Sequence, residues 1–218
     1  MTRTASLLPA TTAANEQVGP ELTARGRVSR ERIVRAALEL MLEHGVAATT
    51  IEDVLQRAKA SKSQLYHYFG GMPRLIESVI TAAETSVLTA QRPHIDRIDS
   101  SESLRAWADH VVALNKAYGP DLGCPLGTLS AELAASDDRS RAQLEASFDR
   151  WIEPIRRGLE VMRQNGELSD GADPALLATA VIASLQGGLL LAKTTRSSVP
   201  VSVALDSALA YVGTFRAV

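Results

Sequence analysis

Apolar residues recur at helical spacing along most of the chain from residue 29 onward. In the first such segment they occupy positions 33, 36, 37, 40 and 41, which lie on one face of an α-helix. Long alternating runs of β-branched residues are absent, and aromatic residues make up only 4% of the sequence, a low share for a β-sandwich. The pattern therefore predicts an all-α protein.

Breaks rich in glycine, proline and serine divide this pattern into about nine helices. Ser29 is predicted to cap the first helix and Thr50 the second, and Pro154 is expected to kink or split the seventh. The predicted spans are approximately 29–44, 50–58, 61–68, 73–91, 101–118, 125–135, 140–165, 174–194 and 201–214.

Length and composition set the broad class of the protein. The 218 residues suit one large domain or two small ones, and an apolar share of 45% is enough for a packed core. The single cysteine, Cys124, excludes an internal disulfide framework and a cysteine-based zinc cluster, and it fits the reducing cytoplasm. We predict no cofactor and no metal site, because the four histidines do not cluster at ligand spacing.

Two segments bear on targeting. Residues 1–20 lack the continuous apolar core of a secretory signal, and we expect residues 1–26 to form a disordered arm. Segment 175–192 is apolar and close to the minimum length of a membrane span. Because it also contains threonine, serine, glutamine and a glycine pair, we interpret it as a helix buried in a bundle, with no membrane partner.

Charge is distributed unevenly along the chain. Residues 1–75 contain ten Lys and Arg against seven Asp and Glu, a net charge of +3, whereas the remainder carries −5. A basic N-terminal part on an acidic body indicates that only the former meets a polyanion.

Residues 50–69 have the pattern of a helix-turn-helix motif, with two short helices joined by about four residues. The second helix has Leu65, Tyr68 and Phe69 on the side predicted to pack inward, and small or polar residues on the other side. Such a helix can present hydrogen-bonding groups to base edges in the major groove of DNA.

Two segments also carry a family resemblance: HGVAATTIEDV at 44–54 and AKASKSQLYHYF at 58–69. They resemble the N-terminal signature of the TetR/AcrR family of transcriptional repressors, over about residues 29–80. The resemblance implies a three-helix helix-turn-helix head over 27–72 and a helical ligand-binding and dimerisation body over 73–218. It also implies three partners: a palindromic double-stranded DNA operator, a small-molecule effector and a second copy of the chain.

The resemblance assigns roles to single residues of the head. Lys62, Ser63 and Gln64 would face bases, while Tyr66 and His67 would grip the DNA backbone. Thr50 would cap the second helix and bind a phosphate. The sequence departs from the family pattern at Lys59, Gln64 and Met72, where Gly, Thr and Lys are common. The full set of predicted DNA-binding residues is Thr49, Thr50, Ser61, Lys62, Ser63, Gln64, Tyr66 and His67.

The last two predicted helices are candidates for a dimer interface. The eighth is apolar almost all round and rich in small residues, and the ninth has an apolar stripe. With their copies from a second subunit they could form a four-helix interface, as the resemblance implies; alternatively, they complete the core of one subunit. The predicted dimerisation residues are Ser184, Gly188, Leu205, Leu209 and Val212.

Both tryptophans lie on helical stripes in the middle of the predicted body, which favours an apolar ligand pocket over a plain core. The segment 123–132 also resembles the start of the sixth helix in relatives that repress drug-efflux genes. A redox role for Cys124 is a weaker alternative to packing. The predicted ligand-binding residues are Trp107, His110, Val111, Leu114, Tyr118, Cys124, Leu126, Phe148, Trp151 and Ile152.

The sequence thus favours a cytoplasmic, homodimeric repressor released from its operator by a small lipophilic effector. Two alternatives remain: an activator or architectural DNA-binding protein without an effector, and a helical small-molecule-binding protein without DNA binding. An enzyme is not expected, because the sequence has no glycine-rich phosphate loop and no metalloprotease or hydrolase motif, and no catalytic residue is predicted.

Overall fold

A computed structural model describes residues 22–217 of the protein. In this range the chain forms nine α-helices and no β-strand, and a single isolated β-bridge joins Leu168 to Arg216. The all-α prediction is confirmed. The helices are α1 (Ala24–His44), α2 (Ile51–Ala58), α3 (Lys62–Phe69), α4 (Met72–Gln91), α5 (Ser101–Tyr118), α6 (Pro125–Leu133), α7 (Asp138–Gln164), α8 (Pro174–Thr195) and α9 (Val199–Gly213).

The start of α1 differs most from the sequence prediction. Thr23, not Ser29, caps this helix, and its hydroxyl accepts a hydrogen bond of 3.1 Å from the backbone N–H of Gly26. Ser29 instead lies buried inside the helix. Residues 24–26, which were predicted to belong to a disordered arm, are therefore helical and residues 22–23 precede the helix, while residues 1–21 of the predicted arm lie outside the described residues.

Pro154 was predicted to kink or split its helix; α7 is continuous through Pro154, so it does not split the helix. Proline removes one backbone hydrogen bond because it has no N–H. The packing of α7 outweighs this loss, since Trp151, Ile155 and Leu159 on both sides of the proline are at most 1% exposed.

The described residues separate into two compact units. One contains residues 22–86 and 128–145, and the other contains residues 87–127 and 146–217. We call them the head unit and the body unit. Helices α4, α6 and α7 contribute residues to both units.

The head unit is built on the apolar faces of its short helices. Ile33 and Met41 of α1, Val54 of α2, and Leu65 and Phe69 of α3 are at most 2% exposed. Burial of each such side chain contributes about 1.5–3 kcal/mol to folding. This core holds α3 in place while the opposite face of α3 stays exposed.

In the body unit, α8 packs tightly against α9. A Cβ atom added to Gly188 would lie 2.9 Å from the Cβ of Ala204 and 3.0 Å from the carbonyl oxygen of Pro200, so only glycine fits at this contact. Helix α8 is long and apolar enough to cross a membrane, but 44% of its most apolar window is buried inside the described protein. The buried side supports the sequence interpretation of a bundle helix.

Candidate nucleic-acid interface

Helix α3 begins with a reciprocal capping box that fixes its first turn. The Ser61 hydroxyl accepts from the backbone N–H of Gln64 at 3.2 Å, and the Gln64 side-chain oxygen accepts from the backbone N–H of Ser61 at 2.9 Å. At the other end, Gly70 adopts the left-handed conformation (φ 68°) and ends the helix. The helix therefore has defined ends although it has only eight residues.

One face of α3 is buried and the other is exposed. Lys62, Ser63, Tyr66 and His67 lie on the exposed face, and Tyr66 is 46% exposed. The Lys62 ammonium lies 6.0 Å from the centroid of the Tyr66 ring, close to the limit of a cation–π contact. Tyr68, which was predicted to face inward, is half-buried. The exposed set can donate to and accept from base edges and phosphates.

The side chain of Gln64 is engaged inside the head unit. Its oxygen caps Ser61, and its Nε2 lies 3.4 Å from the hydroxyl of Ser29 in α1. Sequence reasoning placed Gln64 among the base-facing residues, but both ends of its amide have partners in the structure.

Helix α2 is also capped as the sequence predicts, with a capping box between Thr50 and Asp53. The Thr50 side chain is exposed at the N-terminus of the helix, where phosphate binding is favourable. Thr49, by contrast, is 6% exposed and its hydroxyl donates 2.8 Å to the carbonyl oxygen of Gly45. The hydroxyl of Thr49 thus faces the head unit's interior, unlike that of Thr50.

Three residues of the head unit depart from the family pattern: Lys59, Gln64 and Met72. Lys59 ends α2 in the left-handed region (φ 48°, ψ 48°), which explains why glycine suits this position. Gln64 completes the cap of α3. Met72 is the first residue of α4 and is half-buried, while Arg74 is exposed in the same turn.

Ion pairing and stacking hold α1 against its neighbours. Arg57 of α2 donates to Glu43 at 2.9 Å and 3.2 Å, and this hydrogen bond lowers the pKa of the Glu43 carboxyl. The Arg30 guanidinium lies over the Phe69 ring at 5.1 Å and donates 2.9 Å to the hydroxyl of Ser78. Burial lowers the pKa of Arg30. Arg30 thus links α1 to α3 and α4, a role that its place in the sequence does not indicate.

The two tryptophans of the body unit share one hydrogen-bond acceptor, which was not predicted from the sequence. The indole N–H groups of Trp107 and Trp151 donate to the same side-chain oxygen of Gln91, at 2.9 Å and 3.0 Å. All three residues are buried. Buried indoles need an acceptor, but the sequence does not show which residue supplies it.

The other predicted ligand-binding residues surround this cluster to different extents. Val111, Cys124 and Leu126 are buried, His110, Leu114, Phe148 and Ile152 are half-buried, and Tyr118 is exposed. The Phe148 ring stacks on Trp151 with centroids 6.2 Å apart, and His110 contacts the carbonyl oxygen of Ala90 at 2.9 Å.

Cys124 is an inert thiol by its surroundings. Burial raises its pKa, and its sulfur accepts weak hydrogen bonds from the backbone N–H of Gly127 and the amide of Gln186. A reactive cysteine needs access and a lowered pKa. Packing therefore accounts for Cys124 better than redox sensing.

Asn115 introduces a buried polar atom into the same unit. The residue is 8% exposed, and its side-chain oxygen has no hydrogen-bond partner among the described residues. It lies one turn beyond Val111 on the buried face of α5. The sequence analysis did not identify it.

A surface cleft of about 450 Å³ lies in the body unit near the end of α4 and the middle of α7. Leu88, Arg92, Ile95, Glu153 and Pro154 contribute to its walls. None of the predicted ligand-binding residues lines this cleft.

The predicted dimerisation residues lie mainly inside the body unit. Leu205 and Val212 are 1% and 3% exposed, Gly188 contacts α9 of the same chain, and Ser184 and Leu209 are half-buried. Neighbouring apolar residues face outward instead, and we call them the outer apolar strip. It consists of Leu176, Leu190 and Leu191 of α8 and Val199, Val203 and Tyr211 of α9, which are 51–69% exposed.

Within the described range, no group of three or more His, Cys, Asp or Glu side chains is placed to hold a metal ion.

Known proteins match both parts of the chain. Residues 33–79 match the family described as "Bacterial regulatory proteins, tetR family", and residues 100–208 match "Tetracyclin repressor-like, C-terminal domain". An uncharacterized HTH-type transcriptional regulator of Mycobacterium tuberculosis (strain ATCC 25618 / H37Rv) is 31% identical over 187 residues, which cover 80% of this chain and 89% of that protein. The chain belongs to the TetR family of transcriptional regulators.

Further relatives agree with this assignment. The transcriptional repressor DhaR of Mycobacterium sp. (strain GP1) is 24% identical over 173 residues, covering 78% of this TetR-family regulator and 85% of DhaR. A crystal structure of a regulatory protein TetR from Rhodobacter sphaeroides has the same fold, with a TM-score of 0.74 at 23% identity, and covers 84% of this chain and 98% of that chain. Regulators of this family bind operator DNA, form dimers and bind small-molecule effectors, and they are not enzymes.

Proposed function

We propose that this TetR-family regulator is a homodimeric repressor that binds a palindromic operator through α3 and leaves it when a small lipophilic effector binds the body unit. The observation that carries this proposal is the two-sided character of α3. Leu65 and Phe69 are 0% and 2% exposed, while Lys62, Ser63 and Tyr66 are exposed on the opposite side. A short helix anchored on one side and polar on the other can enter a major groove.

The exposed side chains divide into two kinds of contact. Lys62 and Ser63 stand in the first turn of α3 and are proposed to meet base edges. Tyr66 and His67 follow in the second turn and are proposed to meet phosphates, together with Thr50 and Ser61 at the helix N-termini. Thr49 supports this surface through its buried hydrogen bond rather than through DNA contact.

We propose that the outer apolar strip is the dimer interface. Its six large apolar side chains are exposed on two adjacent helices. Gly187 lies on the exposed side of α8, where a Cβ atom would meet no other atom within 4 Å. A partner helix could therefore approach closely there. Two copies of one DNA-reading head would explain why the operator is expected to be palindromic.

We propose that the effector binds near the tryptophan cluster of the body unit. The cluster brings large apolar side chains together in the interior of the body unit, while Asn115 offers a buried acceptor without a partner among the described residues. These features favour a lipophilic molecule with at least one hydrogen-bond donor. Helix α4 contributes residues to both units, and we propose that it transmits the effect of binding.

The proposed release follows from linkage. If the effector and the operator prefer different conformations of the dimer, each weakens binding of the other by the same factor. A coupling of about 1–3 kcal/mol would change operator affinity roughly 5–150-fold. Such a regulator would act in the cytoplasm, where bacterial DNA is accessible.

The proposed function is tested by selecting genomic fragments that bind the full-length protein and placing a reporter gene behind them. We expect a palindromic site, lower reporter output when the protein is present, and recovery when an effector is added. Higher output would identify an activator. No enrichment of any fragment would contradict the DNA-binding proposal.

A further inference from the structure

The amide of Gln64 has both of its polar ends occupied within the head unit. Its oxygen accepts from the backbone N–H of Ser61 at 2.9 Å, and its nitrogen lies 3.4 Å from the hydroxyl of Ser29. A glutamine that reads adenine offers the same two atoms to the base, the oxygen to N6 and the nitrogen to N7. Because each of these two atoms already has a protein partner, the orientation of the Gln64 amide is set within the head unit.

The contact with Ser29 links two helices that are distant in sequence. Ser29 is 8% exposed inside α1, and 35 positions separate it from Gln64. The same first turn of α3 carries Lys62 and Ser63, whose side chains are exposed. The orientation of these two side chains thus depends on the first turn of α3, which contacts α1 through Gln64.

We propose that Gln64 is a positioning residue: it fixes the first turn of the recognition helix against Ser29 and sets the direction in which Lys62 and Ser63 meet the bases, without reading a base itself. This inference rests on the proposed binding of DNA by α3. It also predicts that Ser29, which is buried inside α1, affects operator affinity.

The test is a double-mutant cycle of Ser29→Ala and Gln64→Ala in the full-length protein. Operator affinity is measured against the selected site and against every single base-pair substitution of that site. We expect Gln64→Ala to weaken operator binding roughly fivefold, as loss of a helix cap does. Ser29→Ala should weaken it less, and the double variant should lose less than the product of the two single effects. The base-pair preferences should weaken together at all positions.

Ser63→Ala is the matched control, because residue 63 is adjacent and exposed in the same turn. It should remove discrimination at one or two base pairs and leave the melting temperature unchanged. The proposal is overturned if Gln64→Ala removes discrimination at one adenine-containing pair and leaves the other pairs unaffected. It is also overturned if the Ser29→Ala and Gln64→Ala effects simply multiply.

A second readout needs no DNA. The melting temperatures of the same four proteins should show a non-additive cycle, because the Gln64–Ser29 contact exists in the free head unit. If the parent protein binds no operator but the thermal cycle is non-additive, the proposed function fails while the positioning contact stands. An additive thermal cycle overturns the positioning role regardless of DNA binding.

Discussion

At the scale of single residues, the buried side chain of Asn115 lowers the stability of the body unit. The buried side-chain oxygen of Asn115 has no partner among the described residues, and an unsatisfied buried acceptor costs about 1–3 kcal/mol. A bound molecule or an ordered water can supply the missing partner of such a group. This cost is why Asn115 belongs to the proposed effector site.

Replacement of Asn115 by leucine should stabilise the protein in the absence of effector. Leucine has the same branched shape and number of side-chain heavy atoms and removes the unpaired acceptor, so we expect the free energy of unfolding to rise by about 1 kcal/mol in urea denaturation. Asn115→Asp should lower it, because a buried charge without a partner is more costly than an amide. A loss of stability with leucine would contradict this prediction.

At the scale of helices, caps were more predictable than the direction of apolar faces. The Thr50 cap follows from residues three positions apart, and it was found from the sequence. The Thr23 cap was missed because several polar residues precede α1, and only packing decides which one starts it. Helix α8 is apolar almost all round, so its pattern does not tell that Gly188 faces α9 while Leu190 faces outward.

In the proposed sites, too, features that are local in sequence could be predicted and contacts between distant residues could not. The exposed polar residues of α3 could be predicted, because their spacing and their neighbours Leu65 and Phe69 are local in sequence. The shared acceptor Gln91 could not, because it lies 16 positions from Trp107 and 60 from Trp151. Contacts across such separations depend on how the helices pack.

The α8–α9 contact can be tested with two glycines, one inside the contact and one outside it. Gly188→Ala should lower the free energy of unfolding, because the new methyl group would lie 2.9 Å from Ala204 and 3.0 Å from the backbone of α9. Gly213→Ala makes the same chemical change in α9 at a position where no atom lies within 4 Å, and the higher helix propensity of alanine should leave stability equal or raise it by up to about 1 kcal/mol. Chemical denaturation of both variants measures the difference; equal losses would contradict the packing.

The α1–α2 ion pair should make the head unit sensitive to acid. The hydrogen bond from Arg57 lowers the pKa of Glu43 below its ordinary value of 4.5. The pair therefore contributes stability above about pH 4.5, and this contribution is lost as pH falls through the lower folded-state pKa. Melting temperatures between pH 6 and pH 3 should fall less steeply in Arg57→Gln than in the parent. Parallel curves would show that the pair contributes no stability, which is true of many exposed ion pairs.

At the scale of the whole molecule, the outer apolar strip should hold two copies of this TetR-family regulator together. Leu190→Glu places a charge on a side chain that is 66% exposed, so it should leave the subunit folded and shift sedimentation from dimer to monomer. Val161→Glu is the matched control, an exposed valine outside the strip on α7, and should leave the dimer intact. A parent protein that sediments as a monomer, or a Leu190→Glu variant that stays dimeric, would contradict the proposed interface.

The central claim is that the exposed face of α3 lies in a major groove, and operator affinity as a function of salt tests it most directly. The parent should show a steep salt dependence. Lys62→Ala should weaken specific binding by at least about tenfold, and Tyr66→Phe should weaken it less. Lys116→Ala, which removes the same charge from an exposed position on α5, should bind like the parent. If Lys62→Ala and Tyr66→Phe both bind the operator as tightly as the parent at every salt concentration, α3 does not read DNA.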